Sequence, residues 1–122
     1  MVKSAAIGRE FEKVAATYLT RKNCVIVETN YYCKFGEVDL IVLDNQLLVF
    51  VEVRYRSSSL YGSSSETVNR SKQRKIKLAA EYYLQERDLA NKVDCRFDVV
   101  SIAKEDRGYQ IDWHRDAFWD VW

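Results

Sequence analysis

The chain has 122 residues, of which 48% are hydrophobic and 30% are charged, and these values fit one globular domain with a single core. No apolar run approaches the roughly 20 residues that a membrane-spanning helix needs, and residues 1–6 lack the apolar stretch of a secretory signal, so we expect a soluble cytoplasmic protein. The formal net charge of +1 neither indicates nor excludes binding to nucleic acid.

The first half of the chain predicts one helix followed by three strands. Apolar residues recur at helical spacing from residue 5 to residue 22, in an alanine-rich segment that favours a helix. A short β-branched segment at 24–28 predicts a strand, and richer strands follow at 37–43 and 47–54, joined by a turn. The last of these is nearly continuous in apolar residues, which is typical of a central strand covered on both faces.

The second half begins with a serine-rich segment and then returns to regular structure. Residues 57–65 hold six serines and one glycine, so they predict a flexible loop. A second helix is predicted over 69–85, and strands are predicted at 96–102 and 109–113. The element order is therefore α-β-β-β-α-β with a small addition, in one α/β domain that spans residues 1–122.

The charges are unevenly distributed along the chain. Residues 54–77 carry seven positive charges against the single negative charge of Glu66, whereas residues 98–122 carry three positive and six negative charges. A basic stretch of this kind can hold phosphates, although a helix face that carries lysines for solubility gives the same pattern. The positive residues are Arg54, Arg56, Arg70, Lys72, Arg74, Lys75 and Lys77.

Two carboxylates fall on the predicted hairpin of the second and third strands. If the hairpin turns on residues 45–46, Asp39 faces Glu52 and Glu37 faces Arg54, with Cβ atoms about 4.5–5.5 Å apart. Two buried carboxylates that close repel each other, unless one takes a proton, Arg54 neutralises them, or a divalent cation lies between them. A change of register by one residue would remove this pairing, and an exposed hairpin with ordinary charge pairs is the alternative.

Hard oxygen ligands suit magnesium or manganese, and a cation held there could polarise a phosphate and activate a water molecule. The chain has one histidine, His114, near its end, and no apparent pair of nucleophile and base. A hydrolase built from this sequence is therefore predicted to be metal-assisted. The three cysteines, Cys24, Cys33 and Cys95, lack the spacing of a zinc site and predict free thiols.

At this point several motifs together resemble the YraN family, from about Gly8 to Phe118. The family is largely uncharacterised, is grouped with the restriction-endonuclease-like fold and is similar to archaeal Holliday-junction resolvases. The resemblance implies a restriction-endonuclease-like core, a mixed sheet flanked by helices, which agrees with the element order above. The motifs are Gly8-x-x-x-Glu12, FGEVDLI at 35–41, LVFVEVRYR at 48–56, Val68-x-x-x-Lys72 and RFDVV at 96–100.

The resemblance also implies a metal site and a homodimer, since a junction resolvase needs two active sites. Asp39 and Glu52 match the two acidic metal ligands of the nuclease superfamily, and the Val53 carbonyl is a further candidate ligand. Glu12 matches the first-helix glutamate that completes the site in the resolvases, although helical geometry alone does not choose between Glu10 and Glu12. The implied cofactor is Mg²⁺ or Mn²⁺.

The sequence departs from the superfamily motif at one position, because Arg54 stands where the motif has lysine. Arginine stays charged and cannot act as a base, although it can stabilise the negative charge that develops on a phosphate. Lys72 or Lys75, near the start of the second helix, could supply the amine from another direction. The alternative is a site that is catalytically weak or inactive.

Three functions therefore follow as hypotheses. The first is a metal-dependent DNA endonuclease acting on branched or junction DNA, in which Asp39, Glu52, Arg54, Glu12 and Lys72 are catalytic. The second is a nucleic-acid-binding module of the same fold without turnover, and the third is a protein-interaction domain with an exposed aromatic tail. That tail is more simply interpreted as packing on its own core. The residues predicted to contact phosphates are Arg56, Arg70, Lys72, Arg74 and Lys75.

Overall fold

A computed structural model describes residues 5–56 and 68–118 of the chain, with side chains from Gly8 onward. The described helices and strands follow the predicted order, including the last strand, which is predicted at 109–113. They are α1 (Ala5–Arg21), β1 (Val25–Cys33), β2 (Gly36–Asp44), β3 (Leu47–Arg56), α2 (Arg70–Glu86), β4 (Cys95–Glu105) and β5 (Gly108–His114). The serine-rich segment at 57–65, Trp119 and Trp122 lie outside the described residues.

The strands form one mixed sheet in the order β1-β2-β3-β4-β5. Neighbouring strands run antiparallel except β3 and β4, which are parallel and are linked by the crossover that contains α2. A parallel pair needs such a crossover, because the chain must return to the end of the sheet where β3 began. The crossover places α2 on one face of the sheet, close to β3. This mixed sheet flanked by helices matches the restriction-endonuclease-like core that the sequence predicts.

Each face of the sheet is covered by one helix, so that the apolar residues form two clusters. The α1 side holds Phe11, Ala15, Leu19, Cys24, Leu40, Val42, Val49, Val51, Val53, Val100 and Ile102. The α2 side holds Tyr31, Val38, Ile41, Leu48, Phe50, Val68, Ile76, Ala79, Ala80, Tyr83, Phe97, Val99 and Phe118. Central strand β3 contributes to both clusters, which explains its nearly continuous apolar sequence.

The described part of the tail packs on the core, as predicted for it. The Phe118 ring is buried and stacks on Phe97 with ring centroids 5.7 Å apart. The three cysteines are free thiols, and burial raises the pKa of Cys24 and of Cys95. No helix in the described part of the chain has the length and apolar character that crossing a bilayer requires.

Strand β1 differs most from its prediction, because it continues to Cys33 rather than ending at Glu28. Its continuation contains Thr29 and Asn30, which are exposed polar residues without the apolar alternation that predicts a strand. The strand lies at the edge of the sheet beside β2, and most of its side chains are exposed or half-buried, so that neither face carries a strong apolar pattern.

Candidate functional site

The β2–β3 hairpin has the predicted register. The strands join through the turn residues Asn45 and Gln46, and Asn45 has the left-handed φ of 58° that asparagine tolerates well. Ladder pairing runs from Asp44↔Leu47 to Leu40↔Val51. The next residue of β2 is Asp39, which the same register would bring beside Glu52, as the two-residue turn predicts.

The sheet is distorted at Asp39. Val38 and Ile41 both pack on the α2 side although they are three residues apart, whereas Leu40 packs on the α1 side. Regular alternation would place Val38 and Leu40 on one face, so that the alternation shifts by one residue at Asp39. On the neighbouring strand Asn30 has a φ of 53° at the same level, between the pairs Thr29↔Leu40 and Tyr31↔Val38. Irregularities of this kind redirect side chains and are common beside active sites.

The redirected side chain of Asp39 accepts a hydrogen bond that a backbone carbonyl of β2 would accept in a regular ladder. The Val53 backbone amide donates a hydrogen bond of 2.8 Å to Asp39 Oδ2, where β2 and β3 no longer exchange backbone hydrogen bonds. The sequence comparison pointed to the Val53 carbonyl as a candidate ligand, and it gave no signal for this amide contact. The contact fixes one oxygen of Asp39 at the end of the hairpin.

Asp39 and Glu52 are both buried, with 6% and 4% of their surfaces exposed. Burial and, after it, the charge of Asp39 together raise the pKa of Glu52 to about 7, while the charge of Lys72 acts in the opposite direction. Lys72 therefore supplies only part of the positive charge that would compensate the buried Glu52 carboxylate. A divalent cation between Asp39 and Glu52 would supply the rest.

Lys72 reaches this pair from the first turn of α2. Its Nζ lies 2.5 Å from Glu52 Oε2, and its backbone amide donates a 2.9 Å hydrogen bond to the N-cap side chain of Asn69. The cap holds the helix start in place, and the crossover brings that start back to the strand that carries Glu52. The amine that the sequence analysis considered from the second helix is thus placed at the carboxylate.

Arg54 and Glu37 lie near the same end of the hairpin but do not form the ion pair that a continued register predicts. Within the described residues, Glu37 is exposed, Arg54 is half-buried, and the structure forms no salt bridge between them. The physical reason is that β2–β3 ladder pairing ends at Leu40↔Val51, so that residues farther along are not held opposite each other. Arg54 therefore lies close to the carboxylates in sequence without being tied to Glu37.

The predicted phosphate-contacting residues fall into two groups. Arg70, Lys72, Arg74 and Lys75 lie on the first half of α2 and are exposed. Arg56 is buried, and its Nη2 lies 2.5 Å from Asp112 Oδ2 on β5. No local sequence pattern signals this ion pair, because the partners are 56 residues apart.

The acidic residues of α1, Glu10 and Glu12, belong to the helix that covers the face of the sheet opposite α2. Glu10 accepts a 2.6 Å hydrogen bond from the Tyr109 hydroxyl and lies 3.3 Å from Lys104 Nζ, and these contacts lower its pKa. Glu12 is half-buried. Among residues 5–56 and 68–118, no group of three His, Cys, Asp or Glu side chains is arranged to hold a metal, and the part of Glu12 in such a site stays a prediction. Asp39 and Glu52 are the two predicted ligands that the structure brings together.

Asp98, in the RFDVV motif, is fully buried but belongs to a different arrangement. Its two oxygens accept hydrogen bonds from Arg96 Nε and Nη2, Trp113 Nε1 and the Asp116 amide, all between 2.8 and 2.9 Å. Asp98 pairs in register with Val51, one residue away from the level of Glu52. Its carboxylate joins β4 to β5 and to the segment that follows, so we assign it a structural role.

Comparison with known proteins finds matches along most of the chain. The model of the family described as "Uncharacterised protein family UPF0102" matches residues 11–102. A UPF0102 protein of Hahella chejuensis is 45% identical over 119 residues, which cover 97% of this chain and 94% of that protein. A UPF0102 protein of Saccharophagus degradans is 41% identical over 118 residues and 97% of each chain, and one of Nitrosococcus oceani is 40% identical over 111 residues, or 91% and 90%. None of these names states an activity.

Proposed function

The chain belongs to the uncharacterised protein family UPF0102, and from its site we infer that it is a magnesium- or manganese-dependent endonuclease that cleaves DNA, with branched or junction DNA as the expected substrate. One observation carries the proposal. Two buried carboxylates, Asp39 and Glu52, lie at the end of one hairpin, and the Lys72 amine contacts the second of them. The same three kinds of group make up the acidic and lysine positions of the nuclease motif that the sequence resembles.

The donor set fits magnesium or manganese better than softer metals. Asp39 and Glu52 offer hard oxygen atoms, and magnesium is commonly held by one or two carboxylates together with water and substrate phosphate. The raised pKa of Glu52 supports this assignment, because a nearby cation would favour the ionised carboxylate. When bound, the cation would supply Lewis-acid polarisation of a phosphate oxygen and acidify a bound water molecule. Glu12 remains a proposed contributor to the site.

The chain's own residues supply the rest of the proposed chemistry. The Val53 amide holds one oxygen of Asp39 and so orients this carboxylate beside Glu52. The Lys72 ammonium can donate hydrogen bonds to a water molecule or to a phosphate oxygen. Arg54 would instead stabilise the negative charge that develops on the cleaved phosphate. In this arrangement Lys72 takes the role of the motif lysine and Arg54 takes a purely electrostatic one.

The first half of α2 is the proposed phosphate-binding surface. Arg70, Arg74 and Lys75 are exposed around Lys72, and no acidic residue lies in the first turn of the helix. The amino end of a helix carries partial positive charge, which favours anions at that end. DNA bound there would have its backbone next to the carboxylate pair. The role of Arg56 as a phosphate contact stays a prediction, and its ion pair with Asp112 would have to open for it.

A binding module without turnover is the second candidate. It is favoured by Arg54 in the lysine position and by the absence, among the described residues, of a third carboxylate beside Asp39 and Glu52. Such a protein would bind DNA with strong dependence on salt, and replacement of Glu52 would leave that binding unchanged.

Cleavage of a labelled four-way DNA junction tests the proposal, with linear duplex and single strand as comparison substrates, in magnesium and in manganese. We expect metal-dependent cleavage by the native protein that is lost in Glu52→Gln and in Lys72→Ala. Glu37→Gln is the matched control, since it changes an exposed carboxylate of the same β2–β3 hairpin. Binding of the junction by native and Glu52→Gln proteins without cleavage by either would overturn the nuclease proposal in favour of the binding module.

A homodimer accompanies the proposal, because symmetrical cutting of a junction needs two sites. Light scattering coupled to size-exclusion chromatography, with and without junction DNA, measures it. A monomer that cuts junction DNA would remove the dimer from the proposal and leave the nuclease assignment in place.

A further inference from the structure

An exposed apolar strip continues from the candidate site along α2. Lys75, Leu78 and Tyr82 follow Lys72 at helical spacing, and the side chains of Leu78 and Tyr82 are 44% and 36% exposed. Phe35, in the turn between β1 and β2, is 37% exposed and meets Tyr82 edge to face with ring centroids 5.9 Å apart. We call Phe35, Leu78 and Tyr82 the apolar ledge.

The ledge is joined to the site through both elements that carry it. Phe35 precedes Gly36, and Gly36 lies three residues before Asp39 in β2, which corresponds to about 10 Å of strand. Gly36 packs against α2, where an added Cβ would stand 3.5 Å from the Cβ of Lys75. Lys75 lies three residues after Lys72, or about 4.5 Å along the helix. A DNA strand bound at the carboxylate pair would therefore reach the ledge within a few nucleotides.

The surroundings of the ledge are mainly basic. The Lys34 ammonium lies over the Phe35 ring, 5.2 Å from its centroid, and Arg74 and Lys75 are exposed where the ledge meets the site. Glu81, next to Tyr82, is the carboxylate of α2 nearest to the ledge in sequence. Exposed aromatic rings among lysine and arginine are the combination that binds single-stranded nucleic acid, because bases stack on the rings while cations contact the phosphates.

From this juxtaposition we propose that the ledge stacks unpaired bases of a DNA strand that leaves the site, so that the substrate is a duplex with a single-stranded arm. The inference rests on the proposed function, since it assigns the substrate of the same site. Fully paired DNA cannot use the ledge, because its bases stack on one another inside the duplex. Tyr31 of β1 and Tyr83 of α2 are buried in the core and cannot take part.

Fluorescence anisotropy measures the preference for an unpaired arm directly. The probes are a labelled forked duplex and a fully paired duplex of equal strand length, at one salt concentration and in EDTA, so that no cleavage occurs. We expect the native protein to bind the fork more tightly by roughly five- to a hundred-fold, the range that stacking one base contributes. A 2-aminopurine base in the arm is expected to lose fluorescence on binding, which reports stacking itself.

Substitutions in the ledge separate stacking from charge. Phe35→Ala and Tyr82→Ala are expected to reduce fork binding to the level of the duplex and to leave duplex binding unchanged, whereas Tyr82→Phe keeps the preference. Tyr32→Ala is the matched control, because Tyr32 is 77% exposed on the same hairpin but follows Tyr31, whose side chain enters the core. Circular dichroism of each variant checks that the fold is retained, and the conservative Tyr82→Phe variant keeps the test valid if an alanine variant unfolds.

Cleavage of the same two DNAs in magnesium or manganese distinguishes this inference from the proposed function. Equal affinity for fork and duplex, or a fork preference that persists in a folded Phe35→Ala, Tyr82→Ala double variant, overturns the ledge even where both DNAs are cut. A fork preference that depends on Phe35 and Tyr82, without cleavage of either DNA, supports the ledge and overturns the nuclease proposal. Absence of binding to both DNAs overturns both.

Discussion

Two buried carboxylates on neighbouring strands, Asp98 and Glu52, differ in how many donors and positive charges surround them. Asp98 on β4 is fully buried and accepts four hydrogen bonds from Arg96, Trp113 and the Asp116 amide. Glu52 on β3 is 4% exposed, contacts the Lys72 amine and has a pKa raised to about 7. Burial is shared, so it does not distinguish the two residues. What differs is how completely the protein's own groups compensate the charge, and in the proposed function a bound cation would complete the compensation at Glu52.

The largest expected effect is on stability and tests the structural role assigned to Asp98. Asp98→Ala is expected to lower the free energy of unfolding by about 3–5 kcal/mol, because it leaves the largely buried Arg96 guanidinium without its main partner. Urea denaturation measures the change. Asp44→Ala removes the other, more exposed partner of Arg96 and is expected to have a smaller effect. Equal effects of the two substitutions would contradict the assignment of Asp98.

The next prediction concerns stability against pH at Glu52. Its pKa is about 7 in the folded protein against an ordinary value of 4.5, so the folded state holds the proton more tightly than the unfolded state. Stability from this group is therefore lost as pH rises from about 4.5 to 7, by up to about 3 kcal/mol. Glu52→Gln is expected to be more stable than the native protein at pH 8 in EDTA and similar to it at pH 4.

Thermal or urea unfolding across that pH range measures this prediction. Glu37→Gln serves as the control, since Glu37 is exposed on the same hairpin. A Glu52→Gln variant less stable than the native protein at pH 8 would show that the carboxylate is well compensated, and the contrast with Asp98 would disappear.

Cation binding provides a third test, with an effect of similar or smaller size. Magnesium or manganese at about 100 times its dissociation constant is expected to stabilise the native protein by about 2.7 kcal/mol at pH 8, because it binds the folded state. Differential scanning fluorimetry with increasing cation concentration measures the shift. Asp39→Asn and Glu52→Gln are expected to abolish it. The same shift in both variants would place the cation elsewhere on the protein.

The smallest expected effect is at the helix cap that positions Lys72. Asn69→Ala is expected to destabilise the protein by about 1 kcal/mol, since it removes the side-chain acceptor for the Lys72 amide, whereas Asn69→Asp retains that acceptor. Chemical denaturation measures the stability. Cleavage assays on both variants then ask whether the Lys72 amine depends on the cap, and full activity in Asn69→Ala would show that it does not.

The parts of the fold set by local sequence were predicted correctly. The hairpin turns on Asn45 and Gln46, as the sequence analysis supposed, and that turn determines the register that directs Asp39 toward Glu52. The helix predicted over 69–85 begins at Arg70, one residue later, with Asn69 as its N-cap. Element order and the two-faced burial of β3 follow from apolar periodicity alone.

The remaining features depend on partners that are distant in sequence. Glu10 pairs with Tyr109 across 99 positions, and Arg56 pairs with Asp112 across 56, so no local pattern could predict either contact. The shift of alternation at Asp39 arises where Asn30 adopts a left-handed φ on the adjacent strand, and a regular hairpin pattern does not encode it. Sequence therefore identified the acidic pair, while the contacts of its neighbours required the three-dimensional arrangement.

The salt bridge between Lys72 and Glu52 means that the protein carries a counter-ion of its own at the acidic pair. A cation that binds Glu52 would exchange with the ammonium rather than fill a passive cavity. The displaced Lys72 side chain, already half-exposed, then becomes available to a phosphate. We expect cation and DNA to bind cooperatively for this reason, and by thermodynamic reciprocity DNA would raise the cation affinity by the same factor.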